Sequence, residues 1–302
     1  MGLYYCLSRR VYVQTTIFGI ILLIPSEIGV ICAAHRYWSH RSFKAEWPLR
    51  VFFMLCQTLS FQYSILQWAR IHRVHHKFSD TPRDPHNANA GFFFSHIGWL
   101  LVHPSEEVSE ELKKMYVDDL KKDKIVMFQD RYYIPLTILL CYILPTIIPC
   151  YFWRESAFMT FCFAVALRLV IVLHLSSSIN SLAHMQGKKP FDKNIRPGDS
   201  LFAWFLSWGD EGWHNYHHVF PWDYKASEYW GYKGGFSSTL VDLFARMGWA
   251  YDLKTTSADV TIKRRLRTGD LSCSIWGWKD PNLDSVDRAH TQINYQKKKK
   301  LI

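Results

Sequence analysis

The stretch EGWHNYHHVFPWDY, residues 211–224, contains three histidines within five positions. If this stretch is helical, spacings of three and four residues put His214, His217 and His218 on one face. Imidazole rings that share a face can converge on one point, which is typical of a metal site. A single histidine is more often an ordinary polar partner, so the interpretation depends on what accompanies these three.

Two further histidine clusters accompany them, and together the three clusters hold eight of the fourteen histidines. The additional members are His72, His75 and His76 in WARIHRVHHKFSD, residues 68–80, and His35 and His40 in AAHRYWSHRSFK, residues 33–44. With His184 they make nine potential ligands, and a single zinc ion takes only three or four from protein. The sequence therefore predicts two ions. Imidazole suits iron, copper, zinc and nickel, so ligand type alone leaves the metal open.

Three apolar segments are long enough to cross a bilayer. Residues 12–34 contain one charged residue, residues 132–153 contain none, and residues 157–179 contain only Arg168. The last two segments are separated by residues 154–156 alone, which predicts a membrane hairpin. The chain is 49% hydrophobic and 16% aromatic, in keeping with a membrane protein.

A fourth apolar segment, residues 49–68, suits either a span or a segment lying in the membrane interface. His40 precedes it and His72 follows it, so it cannot cross the membrane if both histidines bind the same metal centre. We therefore predict an interfacial segment, with residues 69–131 and 180–302 in the cytosol. The net charge of +10 fits this orientation, because cytosolic loops of membrane proteins are enriched in Lys and Arg. The expected partner is a lipid bilayer, and no nucleic acid is expected.

The ends of the chain and the cysteines carry weaker signals. The opening MGLYYCL looks like the end of an upstream first span, which suggests an N-terminally short form. The tail KKKKLI, residues 297–302, resembles the dilysine retrieval signal of endoplasmic reticulum membrane proteins, although a basic end attracted to anionic headgroups is the alternative. The seven cysteines lie mostly in apolar segments, so free buried thiols are expected.

The chain resembles the membrane fatty acyl-CoA desaturases of the stearoyl-CoA desaturase family, in their insect form. The resemblance covers residues 1–302 as a single domain. Beyond the three histidine clusters it is carried by DPHNANAGFFFSHIGWLL (84–101), NSLAHMQGKKPFDKNI (180–195), GWAYDLK (248–254) and RRLRTGD (264–270). It implies an all-α fold, in which a multi-span membrane helical domain lies beneath a cytosolic helical cap that carries a nine-histidine di-metal site.

The resemblance also implies a reaction, the oxygen-dependent introduction of a cis double bond into a fatty acyl-CoA in the endoplasmic reticulum membrane. Two iron ions use dioxygen as co-substrate, and electrons come from NADH through its reductase and a b-type cytochrome. No side-chain general base is required. The family's metal ligands fall on His35, His40, His72, His75, His76, His184, His214, His217 and His218, and Asn180 holds one iron through water.

Other polar residues near the clusters are expected to support the ligands or the fold. Ligating imidazoles usually donate their second N–H to a carboxylate or carbonyl, a task open to Asp84, Asn87, Glu211 and Asp223. His86 and His96 are expected to pack beside the ligands or support them, and His103, His174 and His290 are expected to be structural.

The resemblance implies substrate contacts at five residues, Glu27, Gln62, Trp68, Arg70 and Ser177. Several positions depart from the family pattern. Tyr63 replaces Asn, Gln67 and Ile71 replace Asp, Ser177 replaces Trp, and no Arg-Lys pair separates Val102 from His103. Glu27 stands where a small residue usually closes the deep end of the acyl tunnel.

These departures concern the substrate path and leave the metal ligands intact. Two alternatives therefore stay open beside the acyl-CoA desaturase. One is a di-iron hydroxylase, or a desaturase of a non-CoA lipid. The other is a catalytically impaired lipid-binding relative.

Overall fold

The computed structural model describes residues 11–207, 209, 211–229, 234–272, 286 and 289, and these are mostly helical. Its helices are α1 (Val13–Ser39), α2 (Trp47–Ser60), α3 (Ile65–Phe78), α4 (Phe92–His96), α5 (Glu106–Lys114), α6 (Asp118–Lys121), α7 (Lys124–Arg131), α8 (Tyr133–Trp153), α9 (Ala157–Met185), α10 (Leu201–Leu206), α11 (His214–Val219), α12 (Phe236–Arg246) and α13 (Ala258–Thr268). Strands β1 (Lys44–Ala45) and β2 (Ala250–Tyr251) pair antiparallel. The predicted all-α fold is confirmed.

Three helices, α1, α8 and α9, are long and apolar enough to span a membrane. They coincide with the three apolar segments of the sequence, but α1 and α9 continue further, to 27 and 29 residues. About 20 helical residues cross the hydrocarbon core of a bilayer. The last turns of α1 and α9, which carry His35 and His184, therefore extend beyond it.

The hairpin loop between α8 and α9 contacts the start of α1. The carboxylate of Glu155 accepts hydrogen bonds from the Tyr12 amide at 2.9 Å and the Thr15 hydroxyl at 2.8 Å. A carboxylate at a helix N-terminus is also favoured by the helix dipole. The hairpin loop and the start of α1 thus lie at one end of the three long helices, and the histidine-bearing ends of α1 and α9 lie at the opposite end.

Helices α2 and α3 meet at a bend of 81°. The predicted interfacial segment, residues 49–68, falls across this bend. Phe61 and Tyr63 adopt left-handed backbone conformations there, with φ of 56° and 60°, and Ser64 caps α3 by accepting from the Gln67 amide. By length and composition the pair would also pass as one broken span. The bend directs α3 back towards the end of α1.

Close packing of α1 on α2 requires a glycine. A Cβ atom on Gly29 would lie 2.3 Å from the carbonyl carbon of Cys56, far inside contact distance. The two backbones therefore approach directly. No disulfide joins the described cysteines, as expected; these are Cys32, Cys56, Cys141, Cys150 and Cys162.

Arg168, the one charged residue of the third span, is buried and joins four helices. Its guanidinium donates to the Leu59 carbonyl at 2.7 Å, the Ser26 hydroxyl at 2.8 Å, and the carbonyls of Ala164 and Cys141 at 3.0 and 3.3 Å. A charged side chain inside a membrane domain is costly unless such partners surround it. Arg168 thereby fixes the end of α2, directly before the bend.

Candidate metal centre

All nine histidines singled out in the sequence converge at the end of the spans. They come from four elements, with His35 at the end of α1, His40 just after it, His72, His75 and His76 on α3, His184 on α9, and His214, His217 and His218 on α11. Five of the rings are buried and the others are partly buried. The structure therefore brings together residues up to 183 positions apart in the chain.

The end of α1 is π-helical, over Ile28–Ser39, and this brings His35 and His40 together. On an α-helix, residues five apart point in directions about 140° apart, because each residue turns the helix by 100°. The π-helix has i→i+5 hydrogen bonds instead. The His40 amide donates to the His35 carbonyl at 3.1 Å, and the two ring centroids lie 4.9 Å apart.

The short helix α11 is held in place by its non-histidine residues. The carboxylate of Asp199 accepts the amides of Asn215 and Tyr216 at 2.8 and 3.3 Å, in the first turn. The Asn215 side chain bonds the 191–197 loop on both its oxygen and its nitrogen, and the Tyr216 hydroxyl donates to Asp223 at 2.7 Å. These contacts position α11 so that His217 and His218 lie beside His76 of α3 and His214 lies beside His184 of α9.

The nine imidazoles form two groups. In the first, the ring nitrogens of five residues lie within 4.8 Å of one another: His35, His40, His72, His76 and His217. In the second group, the ring nitrogens of His75, His184 and His218 also lie within 4.8 Å of one another. His214 joins the second group, with its Nε2 2.9 Å from Nε2 of His184 and 3.2 Å from Nε2 of His218. The nine rings thus divide into a group of five and a group of four, and the number of ions they hold stays a prediction.

Carboxylates contact several of these rings at Nδ1. Nδ1 of His75 is 2.9 Å from Asp84, and Nδ1 of His184 is 2.9 Å from Asp80. Glu211 serves both groups, since its oxygens lie 3.1 Å from Nδ1 of His35 and 3.8 Å from Nδ1 of His214. A carboxylate that accepts Nδ1–H fixes the tautomer and leaves Nε2 with a lone pair for a metal.

The donor set fits metal ions. Nε2 of His217 lies 2.9 Å from Nε2 of His35 and 3.1 Å from Nε2 of His76, and Nε2 of His214 likewise has two close nitrogen neighbours. A proton on such a central Nε2 atom can make a hydrogen bond in only one of its two nitrogen contacts. In the other contact the lone pairs of two nitrogen atoms face each other. A bound cation removes that repulsion.

Burial also keeps the α11 ligands neutral, as metal binding requires. Removal from water lowers the pKa of His214 to about 4 and the pKa of His217 well below its usual value. Burial by itself would raise the pKa of Glu211, but the His35 and His214 rings and Arg36 outweigh it and hold that pKa well below the usual range. Glu211 is therefore a permanent anion beside the two groups.

The acids assigned from sequence divide into two kinds. Asp84 and Glu211 contact ligating rings, whereas Asp223 accepts from the Tyr216 hydroxyl and the amides of Lys225 and Thr256. Asn87 caps a short turn by accepting from the Asn89 amide. The contacts of Asp223 and Asn87 therefore differ from the expectation that both residues support imidazoles. Sequence reasoning missed Asp80, and the signal that could have found it is an acid four residues after His76.

The remaining histidines lie outside the two groups. The His86 ring packs 4.2 Å from the His75 ring, and His96 bonds His174 and Ser181, each at 2.9 Å. His103 is exposed in a loop. His290 lies outside the described residues.

A cavity of about 620 Å³ leads from the histidines into the space between the spans. His35, His72, His75 and His214 form part of its wall, and most of the remainder is apolar. A pocket of this size is ordinary for a small-molecule ligand, for which apolar walls with a few polar groups are the rule. Asn180, the predicted water-mediated ligand, also lines it.

Four of the five predicted substrate contacts line this cavity, namely Glu27, Gln62, Trp68 and Ser177. Arg70 is not among the lining residues in the described part of the chain, and its role in substrate binding stays a prediction. Tyr63 and Ile71, two departures from the family pattern, do line it. Three of the altered positions, Tyr63, Ile71 and Ser177, are thus in the cavity wall, whereas Gln67, Val102 and His103 are not among its lining residues in the described part of the chain.

Comparison with known proteins agrees with this geometry. The Fatty acid desaturase family profile matches residues 12–229, well over half of the chain. An acyl-CoA Delta-9 desaturase of Acheta domesticus is 51% identical over 275 residues, which cover 91% of this chain and 76% of that protein. An acyl-CoA Delta(11) desaturase of Trichoplusia ni is 43% identical over 298 residues, covering 98% and 84%. Stearoyl-CoA desaturase 2 of Rattus norvegicus is 45% identical over 266 residues, covering 88% and 73%.

Proposed function

We propose, because this chain belongs to the fatty acid desaturase family, that it introduces a cis double bond into the acyl chain of a fatty acyl-CoA. The observation that carries the proposal is that two groups of imidazoles form one end of a mostly apolar cavity between the spans. An acyl chain in this cavity would lie with its carbons against the metal ligands.

The nine histidines would hold two iron ions, with Asn180 contributing through water, and the metal centre would supply the reduction of dioxygen and the removal of two hydrogens. The reaction balances when two hydrogens leave neighbouring carbons and two electrons and two protons are added, so that both oxygen atoms end in water. The electrons would come from NADH through its reductase and a b-type cytochrome. The all-imidazole donor set is consistent with iron.

The protein's own contribution is to hold the acyl chain and to exclude water. Trp68 stacks on His72, with ring centroids 4.8 Å apart, where the cavity meets the metal ligands. The Gln62 side chain donates to the Ser176 hydroxyl at 2.8 Å, and both residues line the cavity. This hydrogen bond joins the α2–α3 bend to α9 in the wall of the cavity. An apolar path orients the substrate, which is a large part of what an enzyme supplies to such a reaction.

We place the protein in the endoplasmic reticulum membrane with the histidines in the cytosol. This is supported by the hairpin loop lying at the opposite end of the long helices from the histidines, and by the basic character of the regions expected in the cytosol. The dilysine-like tail lies outside the described residues. Replacing Lys299 and Lys300 by Ser should move a fluorescent fusion away from the endoplasmic reticulum if the tail acts as a retrieval signal, and unchanged microscopy would contradict that role.

Expression in desaturase-deficient yeast, followed by chromatography of fatty-acid methyl esters, tests the proposed reaction. A new monounsaturated product, present with the wild type and absent with His217→Ala, is the expected result. A hydroxylated fatty acid would favour the hydroxylase alternative. No product from well-expressed protein that retains its metal would favour the impaired lipid-binding relative.

A further inference from the structure

Two short segments on the histidine side of the molecule expose large apolar side chains. The first contains α4 and the residues up to Val102, and the second is α10. Their outward residues, which we call the apolar collar, are Phe92, Phe93, Leu101, Val102, Leu201, Phe202 and Phe205. Phe93 is 63% exposed and Phe205 is 74% exposed. Contiguous apolar surface of this kind marks an interaction site.

Both segments pack against α9, the third span. The exposed side of α9 carries Val170, which also borders the cavity between the spans, and one turn later the exposed His174. His174 bonds His96 at 2.9 Å, and His96 stacks on Phe92 with ring centroids 5.0 Å apart. The exposed side of α9 therefore contacts the collar through His174, His96 and Phe92.

The depth of the collar follows from the length of α9. His174 lies 17 residues after the start of α9 at Ala157, which is about 26 Å along a helix axis. The hydrocarbon core is about 30 Å thick. Phe92, which reaches His174 through His96, thus lies near the boundary between hydrocarbon and headgroups on the histidine side. Phenylalanine and leucine on a short helix at this depth are typical of segments that lie in the interface plane.

We propose that the apolar collar is embedded in the headgroup and acyl boundary of the leaflet on the histidine side. Phospholipid is the occupant because the collar packs against the third span at the depth of the lipid boundary. Lys188, which is exposed and pairs through its backbone with Asp199 just before α10, adds a positive charge that suits anionic headgroups. This inference concerns the position of the chain in the bilayer and does not depend on the reaction.

One consequence rests on the proposed function. Trp99 and Leu100, which follow α4, and Ser207, which follows α10, all line the acyl cavity. Embedding the collar would hold this part of the cavity at the lipid surface, where long acyl chains concentrate.

Site-specific photocrosslinking of the full-length protein in phospholipid nanodiscs tests the collar. The photoreactive residue p-benzoylphenylalanine replaces Phe93 or Phe205 with little change in shape, and the matched control replaces Tyr116, which is equally exposed at 63%. Tyr116 belongs to the cap, since its carbonyl accepts from Arg73, which also binds the Trp38 carbonyl at the far end of α1.

After irradiation, mass spectrometry of the digested protein should find phospholipid adducts at positions 93 and 205, at least several times more than at position 116. Equal yields at all three positions, or no lipid adduct at 93 and 205, would overturn the proposal. A crosslinked dimer on a gel in place of lipid adducts would overturn it in favour of a self-contact. Size-exclusion profiles and metal content like those of the wild type establish that each variant is folded.

Discussion

His184 and His214 face each other through their Nε2 atoms at 2.9 Å, although one belongs to the third span and the other to the cap. Asp80 lies 2.9 Å from Nδ1 of His184, so Nε2 of that ring carries a lone pair. Attraction between the two rings then needs either a proton from His214 or a shared cation. His214 has a second close nitrogen neighbour in His218, at 3.2 Å. A metal ion in this group would therefore join the membrane domain to the cap.

The first prediction follows from this link. Removing metal with a chelator should lower the thermal midpoint of unfolding by about 10 °C. Several kcal/mol of metal-binding free energy are lost, and each kcal/mol of stabilisation is worth about 2–4 °C in a protein of this size class. Adding cobalt(II) to the stripped protein should restore the midpoint and give a visible absorption spectrum that saturates at two equivalents. Saturation at one equivalent, or a midpoint insensitive to metal, would contradict a two-ion site.

The second prediction concerns a single ligand. His217 has nitrogen neighbours in both His35 and His76, so His217→Ala should release metal from the five-histidine group and abolish product formation. The matched control is His103→Ala, which removes an exposed imidazole outside both groups and should leave metal content and turnover unchanged. Iron analysis and product chromatography on the same preparations are the measurements. Full activity in His217→Ala would rule out the di-iron assignment.

The third prediction concerns the acid that sequence reasoning missed. Asp80→Asn keeps the size of the side chain but removes the anion behind His184, and loss of such a partner typically costs 10–100-fold in metal affinity or activity. We expect iron retention during dialysis to fall in that range. Asn87→Ala serves as the control, because Asn87 contacts a backbone amide and no ligand ring within the described residues. Equal retention in both variants would mean that Asp80 has no influence on the metal.

Much of the site could be predicted because spacing on a regular helix determines which side chains share a face. His72, His75 and His76 on α3 behave as their spacing indicates, and so do the three histidines of α11. His35 and His40 do not fit an α-helix, and only the π-helical hydrogen bonds of α1 align them. A π-helix depends on the packing around α1, which residue spacing does not encode.

Contacts between residues far apart in the chain could not be predicted from local sequence patterns, for a similar reason. Asp80 meets His184 across 104 residues of chain, and Asp223, placed beside the third cluster in sequence, turns instead to Tyr216. The sequence alone identifies Arg168 only as the one charged residue in an apolar segment. Its contacts with Ser26 and Leu59 exist because four helix segments meet around it. Composition predicted the spans well, since hydrocarbon thickness sets their length.

The fourth prediction concerns the CoA end of the substrate. Val102 and His103 are both exposed, so inserting Arg-Lys between them should not disturb packing. Charge-assisted contacts to phosphate should then lower the KM for acyl-CoA by roughly threefold to tenfold, at about 1.4 kcal/mol per factor of ten. The basic cluster at 263–265 is a poor substitute, because Arg264 and Arg265 already pair with Asp192 and Glu228.

The control for that insertion is Gln-Ser at the same place, which lengthens the loop without adding charge. Steady-state kinetics with one acyl-CoA at several salt concentrations is the measurement, because a phosphate contact weakens as salt rises. If both insertions change KM equally, loop length is responsible. If neither changes it, the phosphates are bound elsewhere or CoA is not the carrier.

The last prediction concerns Glu27, which lines the acyl cavity on α1 eight residues before His35, or about 12 Å along the helix. Glu27 also borders a second cavity of about 10 Å³, which is lined in part by Cys32 and Phe236. The side chain thus stands between the acyl cavity and this small space.

Glu27→Ala should join the two spaces and admit a longer acyl chain, which gains about 0.8 kcal/mol of binding free energy for each additional CH₂ buried. Yeast expression with product chromatography should show longer unsaturated products. Glu27→Gln separates size from charge: it should keep the wild-type chain length if bulk is decisive, and lengthen the products if the acidic group itself excludes the chain end. A chain-length profile unchanged in both active variants would make Glu27 a structural residue of α1.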